Sequence, residues 1–380
     1  MEFNLGMIKN DPYLVESIKS IEKIYNRMLD DKSKAMYQEA INLIETHDFS
    51  HLVKIHELNS IKSDKTVLLQ SQYTKLHDQE KKIIFYGLGE RTLNMLKYSE
   101  EYSSRIGYSF IPFITDIPIT FFCDKQYKNY SAGFLGRPVI SPEELKKSYK
   151  DEIVIINTTD YFEEVHDELI QAGFKEKNIF LQEYCGCIEY EEKQYFEEFM
   201  KRDKEDIFVD AGCFDGKTTQ TFIKWQPNYD KIIAFEPDQL NFHVCEKNLN
   251  NSRSVKVINA GLSDVTGRCF FSGEGSSASH IDKTGSDSIE VVRLDDVIGN
   301  DKVSFIKMDI EGAELDALKG AASCIKRDLP NLAICAYHKK YDLVDLPKYI
   351  CELSDHYKFY LRIYSDHWHE WVLYAIADVD

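Results

Sequence analysis

Residues 207–225 read IFVDAGCFDGKTTQTFIKW, and this stretch decides the fold. An apolar run ends at Asp210, a turn rich in glycine follows, and apolar residues then recur at helical spacing. A parallel strand that enters a helix through a tight turn has this pattern. The stretch therefore predicts the first strand, turn and helix of an α/β sheet.

Six further strand candidates follow in the C-terminal half of the chain. They read, in order, KIIAFEPD, VKVINAGLSD, VSFIKMDIEG, LAICAYHKK, FYLRIYS and WVLYAIADV. Helical patterns separate most of these runs, which indicates a parallel sheet. No clear helix lies between the last two runs, so the final strand is expected to insert antiparallel. We predict a seven-stranded Rossmann-like sheet within residues 205–380.

The N-terminal half predicts three more regions. Residues 1–80 show apolar positions at helical spacing, typical of a helical region that caps the neighbouring domain or forms a dimer contact. Residues 81–182 repeat the order of strand, glycine turn and helix, and predict a smaller Rossmann-like α/β domain. An acidic helical linker at residues 183–204 is expected to join it to the C-terminal domain.

Composition narrows the classes of partner. The 380 residues carry 46 Lys and Arg against 64 Asp and Glu, a net charge of −18, which repels nucleic acid and anionic lipid surfaces. No apolar run reaches the ~18 residues that a membrane span needs, and the N-terminus lacks a signal-peptide pattern. We expect a cytoplasmic protein with no nucleic-acid partner and no membrane insertion.

The nine cysteines are an odd number scattered through apolar segments, which is typical of a cytosolic protein. The one close pair, Cys185 and Cys187, has no second pair or nearby histidine that would complete a zinc set. We therefore expect no zinc site in this pair.

Two acids at predicted strand ends indicate a nucleoside site. Asp210 ends one strand beside Gly212 and Gly216, and Glu236 ends the next, where a carboxylate typically binds a ribose diol. The turn carries Asp215, which would repel a pyrophosphate, so a cationic nucleoside cofactor is favoured. S-adenosylmethionine meets this requirement through its sulfonium, with its α-amino group near Asp210.

A third group of candidates follows the later strands. Asp309 and Glu311 in IKMDIEGAE, and His338 after LAICAY, should lie at the same edge of the sheet. We expect His338 to act as a general base, because an imidazole titrates near neutrality. Asp309 or Glu311 are alternatives that take the proton or hold a divalent ion. A metal is possible on this basis but has no support of its own, and we assign no metal ligand.

These segments carry a resemblance to a known family. FVDAGCFDG, AFEPD, INAGLSD, RLDDV, IKMDIEGAELDALKGA, AYHKKYDL and VLYAI, in this order over residues 205–377, resemble the FkbM family of S-adenosylmethionine-dependent methyltransferases. The resemblance implies a class I methyltransferase fold, methyl transfer that usually goes to a hydroxyl, and cofactor contacts from Asp210, Gly212 and Glu236. The matched segments add further cofactor candidates: Cys213, Gly216, Thr218, Pro237, Asp264 and Asp309.

We expect O-methylation of a sugar, a glycan or a related secondary metabolite, with a small-molecule or glycan acceptor; a homo-oligomer is also an option. N-methylation is one alternative, and a non-catalytic protein that kept the cofactor fold is another. A third is a nucleotide-sugar or NAD(P)-dependent oxidoreductase that uses Gly87 and Gly89. Thr92 stands where the dinucleotide fingerprint has its third glycine, which argues against this third alternative.

Overall fold

The computed structural model describes residues 3–46, 50–59, 81–89, 92–93, 119–157, 161–181, 193–272, 280–281, 287–365, 368 and 370–378. Within these ranges, the side chains of residues 53, 56, 270–272, 280–281 and 287 are not described. The pair Cys185 and Cys187 and residues 183–192 of the predicted linker lie outside the described residues.

The chain forms two compact units. The larger contains residues 1–46, 188–364 and 369–380, and the smaller contains residues 47–187 and 365–368. Thus the first predicted helices belong to the same unit as the C-terminal sheet. The domain boundaries predicted at residues 80, 182 and 204 stay predictions.

The described helices are labelled in chain order. They are α1 (Pro12–Glu16), α2 (Ile18–Asn26), α3 (Asp31–Thr46), α4 (Ser50–Asn59), α5 (Pro142–Ser148), α6 (Phe162–Gln171), α7 (Lys217–Trp225), α8 (Gln239–Leu249), α9 (Leu294–Ile298), α10 (Glu314–Gly320), α11 (Ala322–Asp328) and α12 (Asp342–Leu353).

The described strands are labelled in the same way. They are β1 (Ile83–Tyr86), β2 (Ile119–Cys123), β3 (Val139–Ile140), β4 (Ile153–Ile156), β5 (Ile179–Leu181), β6 (Glu205–Ala211), β7 (Tyr229–Phe235), β8 (Val255–Ile258), β9 (Gly261–Leu262), β10 (Gly267–Ser272), β11 (His280–Ile281), β12 (Asp287–Val292), β13 (Val303–Met308), β14 (Asn331–Cys335), β15 (Tyr357–Ile363) and β16 (Trp371–Ala377).

A seven-stranded sheet forms the centre of the larger unit. Its strand order is β15-β16-β14-β13-β6-β7-β8, and β16 pairs antiparallel with both of its neighbours. Strands β13 and β14 are buried along their whole length, as expected for parallel strands covered on both faces. The predicted α/β class, the seven strands and the antiparallel insertion of the last strand are confirmed.

The smaller unit has its own parallel sheet. Five strands lie in the order β3-β2-β1-β4-β5, and every described pairing is parallel. The central strands β1 and β4 are fully buried. This sheet confirms the predicted second Rossmann-like fold.

A third sheet was not predicted. It has four short strands in the order β11-β10-β12-β9, and it falls between the parallel strands β8 and β13 along the chain. Its segments GRCFFS and DSIEVV mix apolar and polar residues too irregularly for periodicity to identify them as strands.

The N-terminal helices cover an edge of the seven-stranded sheet. The amide of Leu29 donates to the carbonyl of Phe359 in β15 at 2.8 Å, and the amide of Phe359 donates to the carbonyl of Arg27 at 2.9 Å. Asp30 forms an ion pair of 2.5 Å with Arg362 in the same strand. These contacts satisfy backbone groups of an edge strand that would otherwise be open to pairing with another chain.

Among the residues that the structure describes, no helix combines the length and the apolar character needed to cross a bilayer.

Candidate active site

The carboxyl ends of four neighbouring strands meet at one edge of the larger sheet. Strands β14, β13, β6 and β7 lie side by side and run parallel. Asp210 is near the end of β6, while Glu236, Asp309 and His338 follow β7, β13 and β14 within three residues. The structure therefore brings these four predicted residues to the same edge, where ligands bind in open α/β sheets.

Asp210 is fully buried and pairs with Lys307, a residue that the sequence analysis missed. Its carboxylate lies 3.1 Å from Nζ of Lys307 and accepts a 2.6 Å hydrogen bond from the hydroxyl of Thr219. Nζ also donates to the carbonyls of Ala211 and Gly212 at 3.2 and 2.7 Å. Burial opposes the charge of Lys307, but Asp210 outweighs it and holds the pKa of the ammonium above its usual value. The pair fixes the start of the turn and leaves Asp210 no exposed oxygen.

The turn after β6 brings the two predicted glycines into positions that require them. Gly212 has φ +76°, and a Cβ there would lie 1.9 Å from the carbonyl oxygen of Asp309. Gly216 has φ +83° and ends the turn immediately before α7. Cys213 is buried, with its Sγ 3.2 Å from that of Cys245. The described side chain of Cys213 therefore packs inside the unit, away from the open edge.

Glu236 connects the ends of β6 and β7. One carboxylate oxygen accepts the amide of Phe214 at 2.9 Å, and the other accepts the amide of Asp238 at 3.0 Å. Burial is the largest influence on this carboxyl and raises its pKa to about 7, although the two amides act in the opposite direction. Each oxygen keeps a second lone pair, so the carboxylate form can still accept a hydrogen bond from a ligand hydroxyl.

The remaining cofactor candidates surround this edge. Pro237 directly follows Glu236, and Thr218 lies half-buried in the first turn of α7. Asp264 is exposed between β9 and β10, where its carboxylate accepts a 3.3 Å hydrogen bond from the hydroxyl of Ser263. The roles assigned to these residues stay predictions.

Three carboxylates surround His338, and we call these four residues the histidine cluster: Asp309, Glu311, Glu314 and His338. Nδ1 of His338 lies 2.9 Å from Oε1 of Glu314, and Nε2 lies 3.6 Å from both Oδ1 of Asp309 and Oε2 of Glu311. His338 and Glu314 are each 1% exposed, whereas Asp309 and Glu311 are 28% and 22% exposed. The cluster therefore has a buried imidazole and an open carboxylate face, formed by the partly exposed Asp309 and Glu311.

The carboxylates decide the protonation of His338. Burial alone would lower its pKa, but Glu314 first, then Glu311 and Asp309, outweigh burial and raise the pKa of His338 to about 10. The carboxylates therefore favour the charged form of the imidazole, and the role of His338 as general base stays a prediction. Asp309 and Glu311 offer partly exposed oxygens that suit a proton acceptor.

Local backbone geometry places Glu311 in the cluster. Its φ is +54°, in the left-handed region that non-glycine residues rarely occupy, and Gly312 follows with φ +97°. Such a conformation costs about 1–2 kcal/mol for a residue with a Cβ. The strained turn directs the Glu311 carboxylate toward His338.

Two further polar residues of the site were missed by the sequence analysis. The hydroxyl of Tyr195 donates to Oδ2 of Asp309 at 2.9 Å. Glu370 accepts hydrogen bonds from Gln194 at 2.5 Å and Tyr337 at 3.3 Å, and burial raises its pKa to about 7. Both residues lie far from Asp309 along the chain, so no local motif identifies them. Lys307, in contrast, was visible as a lone cation in the apolar strand VSFIKM.

The corresponding turn of the smaller unit is closed by its own side chains. The hydroxyl of Thr92 donates to the carbonyl of Gly87 at 2.7 Å and accepts from the amide nitrogen of Asn157 at 2.7 Å. Asp124 accepts the amides of Leu88 and Gln126 at 2.7 and 2.6 Å. The dinucleotide site proposed for Gly87 and Gly89 stays a prediction.

The described sheet is that of a class I methyltransferase, a Rossmann-like sheet with its last strand inserted antiparallel and its polar residues at the carboxyl edge. Residues 210–361 match the family model described as the methyltransferase FkbM domain. This part of the chain is accordingly an FkbM methyltransferase domain, and the enzyme depends on S-adenosylmethionine.

Comparison with solved structures gives many similar chains, and three of them illustrate the range. The methyltransferase FkbM from Methylobacillus flagellatus KT is 18% identical with a TM-score of 0.48, and the match covers 86% of this chain and 98% of that one. An rRNA methylase from Streptococcus thermophilus is 14% identical with a TM-score of 0.32, over 50% and 93%. Aeropyrum pernix fibrillarin in complex with natively bound S-adenosyl-L-methionine is 11% identical with a TM-score of 0.30, over 48% and 71%. A comparison with curated proteins found no match.

The close approach at Gly212 gives a first prediction. Replacing Gly212→Ala should destabilise the protein by at least ~1–2 kcal/mol through the positive φ alone, and the clash with Asp309 adds to this. Gly267→Ala is the control, because a Cβ there meets nothing within 4 Å. Urea unfolding of both variants checks the prediction, and equal midpoints would contradict the described turn.

The buried ion pair gives a second prediction. Lys307→Met should cost about 3–5 kcal/mol, because it leaves the Asp210 charge buried without its partner. Adding Asp210→Asn should recover most of this loss. A double-mutant cycle measured by urea unfolding checks the coupling, and additive single effects would show that the pair is not formed.

Proposed function

We propose that this methyltransferase transfers a methyl group to a hydroxyl of a sugar, a glycan or a related metabolite. The observation that carries the proposal is the open carboxylate face of the histidine cluster, formed by Asp309 and Glu311 at the cofactor edge of the sheet. Carboxylates accept hydrogen bonds from hydroxyls and take up their protons. The net charge of −18 supports a small-molecule or glycan acceptor rather than a nucleic acid.

The residues of the edge fit S-adenosylmethionine. Glu236 holds its carboxylate at the strand end where a ribose diol binds, and the turn from Gly212 to Gly216 leaves no side chain at its two glycines. Because Lys307 already neutralises Asp210, we assign Asp210 a positioning role: it anchors Lys307, which holds the carbonyls of the turn. Asp309 retains partial exposure that a cationic ligand could use.

The chemistry that the cofactor supplies is an electrophilic methyl group, which an acceptor oxygen attacks in line. In our proposal Asp309 and Glu311 bind the acceptor hydroxyl and orient one lone pair toward that methyl group. One of the two carboxylates takes the hydroxyl proton as the oxygen–carbon bond forms, and the sulfur–carbon bond of the sulfonium would break to leave S-adenosylhomocysteine. His338, held as a cation by Glu314, keeps the two carboxylates in place.

Binding of S-adenosylhomocysteine tests the cofactor half. Because the pKa of Glu236 is about 7, the carboxylate form that accepts ribose hydroxyls gains population as the pH rises through 7. We therefore expect the affinity to rise about tenfold between pH 6 and pH 8, measured by calorimetric titration. Glu236→Gln should bind weakly and lose this pH dependence, while the exposed Glu246→Gln should behave as wild type. An unchanged pH profile in Glu236→Gln would contradict the assignment.

Transfer of a labelled methyl group tests the acceptor half. With a panel of sugars, we expect the label on hydroxyl oxygens. With matched amino sugars, we expect the label on hydroxyl oxygens and none on the amino nitrogen. Glu311→Gln should lower kcat by about 10²–10⁴-fold, the usual range for losing an acid–base group. The variant should still bind S-adenosylhomocysteine. Label found only on nitrogen would establish N-methylation instead.

A further inference from the structure

Tyr195 contacts Asp309 from a distant part of the chain. Its side chain is buried, and its hydroxyl donates to Oδ2 of Asp309 at 2.9 Å. Oδ1 of the same carboxylate lies 3.6 Å from Nε2 of His338. The two oxygens of Asp309 therefore have different neighbours, and the hydrogen bond from Tyr195 fixes the rotation of the carboxylate.

The neighbours of Tyr195 decide where its hydroxyl proton points. Nε2 of Gln194 donates to the hydroxyl oxygen at 3.0 Å and to Oε2 of Glu370 at 2.5 Å. An amide nitrogen only donates and an ionised carboxylate only accepts, so the single proton of the hydroxyl goes to Asp309. Burial raises the pKa of the Tyr195 phenol well above its usual value, and the hydroxyl keeps this proton at neutral pH.

The backbone and the ring of Tyr195 are also held in place. The amide donates to the hydroxyl of Tyr374 at 3.2 Å. The φ of Tyr195 is +72°, a value that residues with a Cβ rarely adopt. Nζ of Lys307 lies 5.2 Å from the centroid of the ring, within the range of a cation–π interaction. These contacts fix the position of the hydroxyl relative to Asp309.

Asp309 lies against the turn assigned to the cofactor. Its amide donates to the carbonyl of Ala211 at 3.1 Å, and a Cβ at Gly212 would lie 1.9 Å from its carbonyl oxygen. Asp210, at the start of this turn, is fully buried and paired with Lys307. The side chain of Asp309 is 28% exposed. Asp309 therefore offers a partly exposed carboxylate beside the turn.

The charge around Asp309 favours a cation. Nε2 of His338 lies 3.6 Å from both Asp309 and Glu311, and Nδ1 lies 2.9 Å from Glu314. Three carboxylates share one imidazole, so the cluster stays negative even when the imidazole is charged. The sulfonium of S-adenosylmethionine is a cation, whereas S-adenosylhomocysteine loses this charge with the methyl group. A carboxylate held near the sulfur attracts the first ligand and not the second.

We propose that Tyr195 positions Asp309 so that its carboxylate favours the charged methyl donor over the neutral product. Tyr195 acts through Asp309 and is therefore a positioning residue. Without the hydroxyl, the carboxylate can rotate, and its ionised form loses a hydrogen bond that stabilises it. This role concerns the cofactor, so it does not depend on which atom of the acceptor takes the methyl group.

Calorimetric titration of the full chain with S-adenosylmethionine and with S-adenosylhomocysteine at pH 8 tests this role. Tyr195→Phe removes only the hydroxyl. We expect the affinity for the donor, relative to that for the product, to fall by about three- to tenfold, within the usual coupling between groups in contact. A loosened site would weaken both ligands equally, because they differ only in the methyl group and its charge. The titration of Glu236 cancels in this ratio for the same reason.

Two further variants supply a control and a coupling. Tyr357→Phe removes the hydroxyl of another buried tyrosine, which donates to the carbonyl of Pro330 at 2.9 Å, and should leave the ratio unchanged. Asp309→Asn should lower the ratio at least as much as Tyr195→Phe does. Adding Tyr195→Phe to Asp309→Asn should lower it no further, because the tyrosine acts through the acid.

The outcomes separate this role from a structural one and from the proposed function. A ratio unchanged in Tyr195→Phe, with or without an equal loss of both ligands, would overturn the positioning role. An unchanged ratio in Asp309→Asn, or a double variant in which the two losses multiply, would overturn it as well. Methyl transfer to nitrogen would remove the proposed hydroxyl acceptor and leave these ratios as they are.

Discussion

The ion pair between Lys307 and Asp210 is the constraint on which the site depends. It joins β13 to β6 inside the sheet, and the same ammonium binds the carbonyls of Ala211 and Gly212. The ammonium of Lys307 therefore holds the turn after β6 in place. The backbone of this turn lies so close to the carbonyl of Asp309 that only glycine fits at residue 212. Because burying two charges costs more than an apolar contact of the same size, the pair is better explained by the geometry that it imposes than by stability.

The acids of the edge then divide into two groups by their partners. Asp210 and Glu236 are occupied by an ammonium, a hydroxyl and backbone amides, and they shape the turn. Asp309 and Glu311 keep partly exposed oxygens and face a buried imidazole. In our proposal, the first group lies beside the bound nucleoside, and the second supplies the groups that reach an acceptor. Both tasks require negative charge, which is why a chain with a cationic cofactor tolerates so many acids at one edge.

The sequence predicted the strands well, because each parallel strand is buried on both faces and reads as an apolar run. It also predicted Asp309, Glu311 and His338 at one edge, since parallel strands end together. It did not predict the contacts of Tyr195 or Glu370, which reach the site from distant parts of the chain, nor the sheet of β9–β12, whose strands are short and of mixed polarity. The protonation of His338 also lay beyond the sequence, because three carboxylates set it through distances of 2.9–3.6 Å.

The glycine turns of the two units differ in the residue that follows the neighbouring strand. In the smaller unit Asp124 accepts the amides of Leu88 and Gln126, the same arrangement that Glu236 makes with Phe214 and Asp238. An acid after the second strand is therefore a device that closes the turn, whether or not it binds a ribose. The difference lies at the next strand: β4 is followed by Asn157, which bonds Thr92, whereas β13 is followed by a partly exposed carboxylate, Asp309. The residue after this neighbouring strand, rather than the glycine turn, therefore distinguishes the two sheet edges.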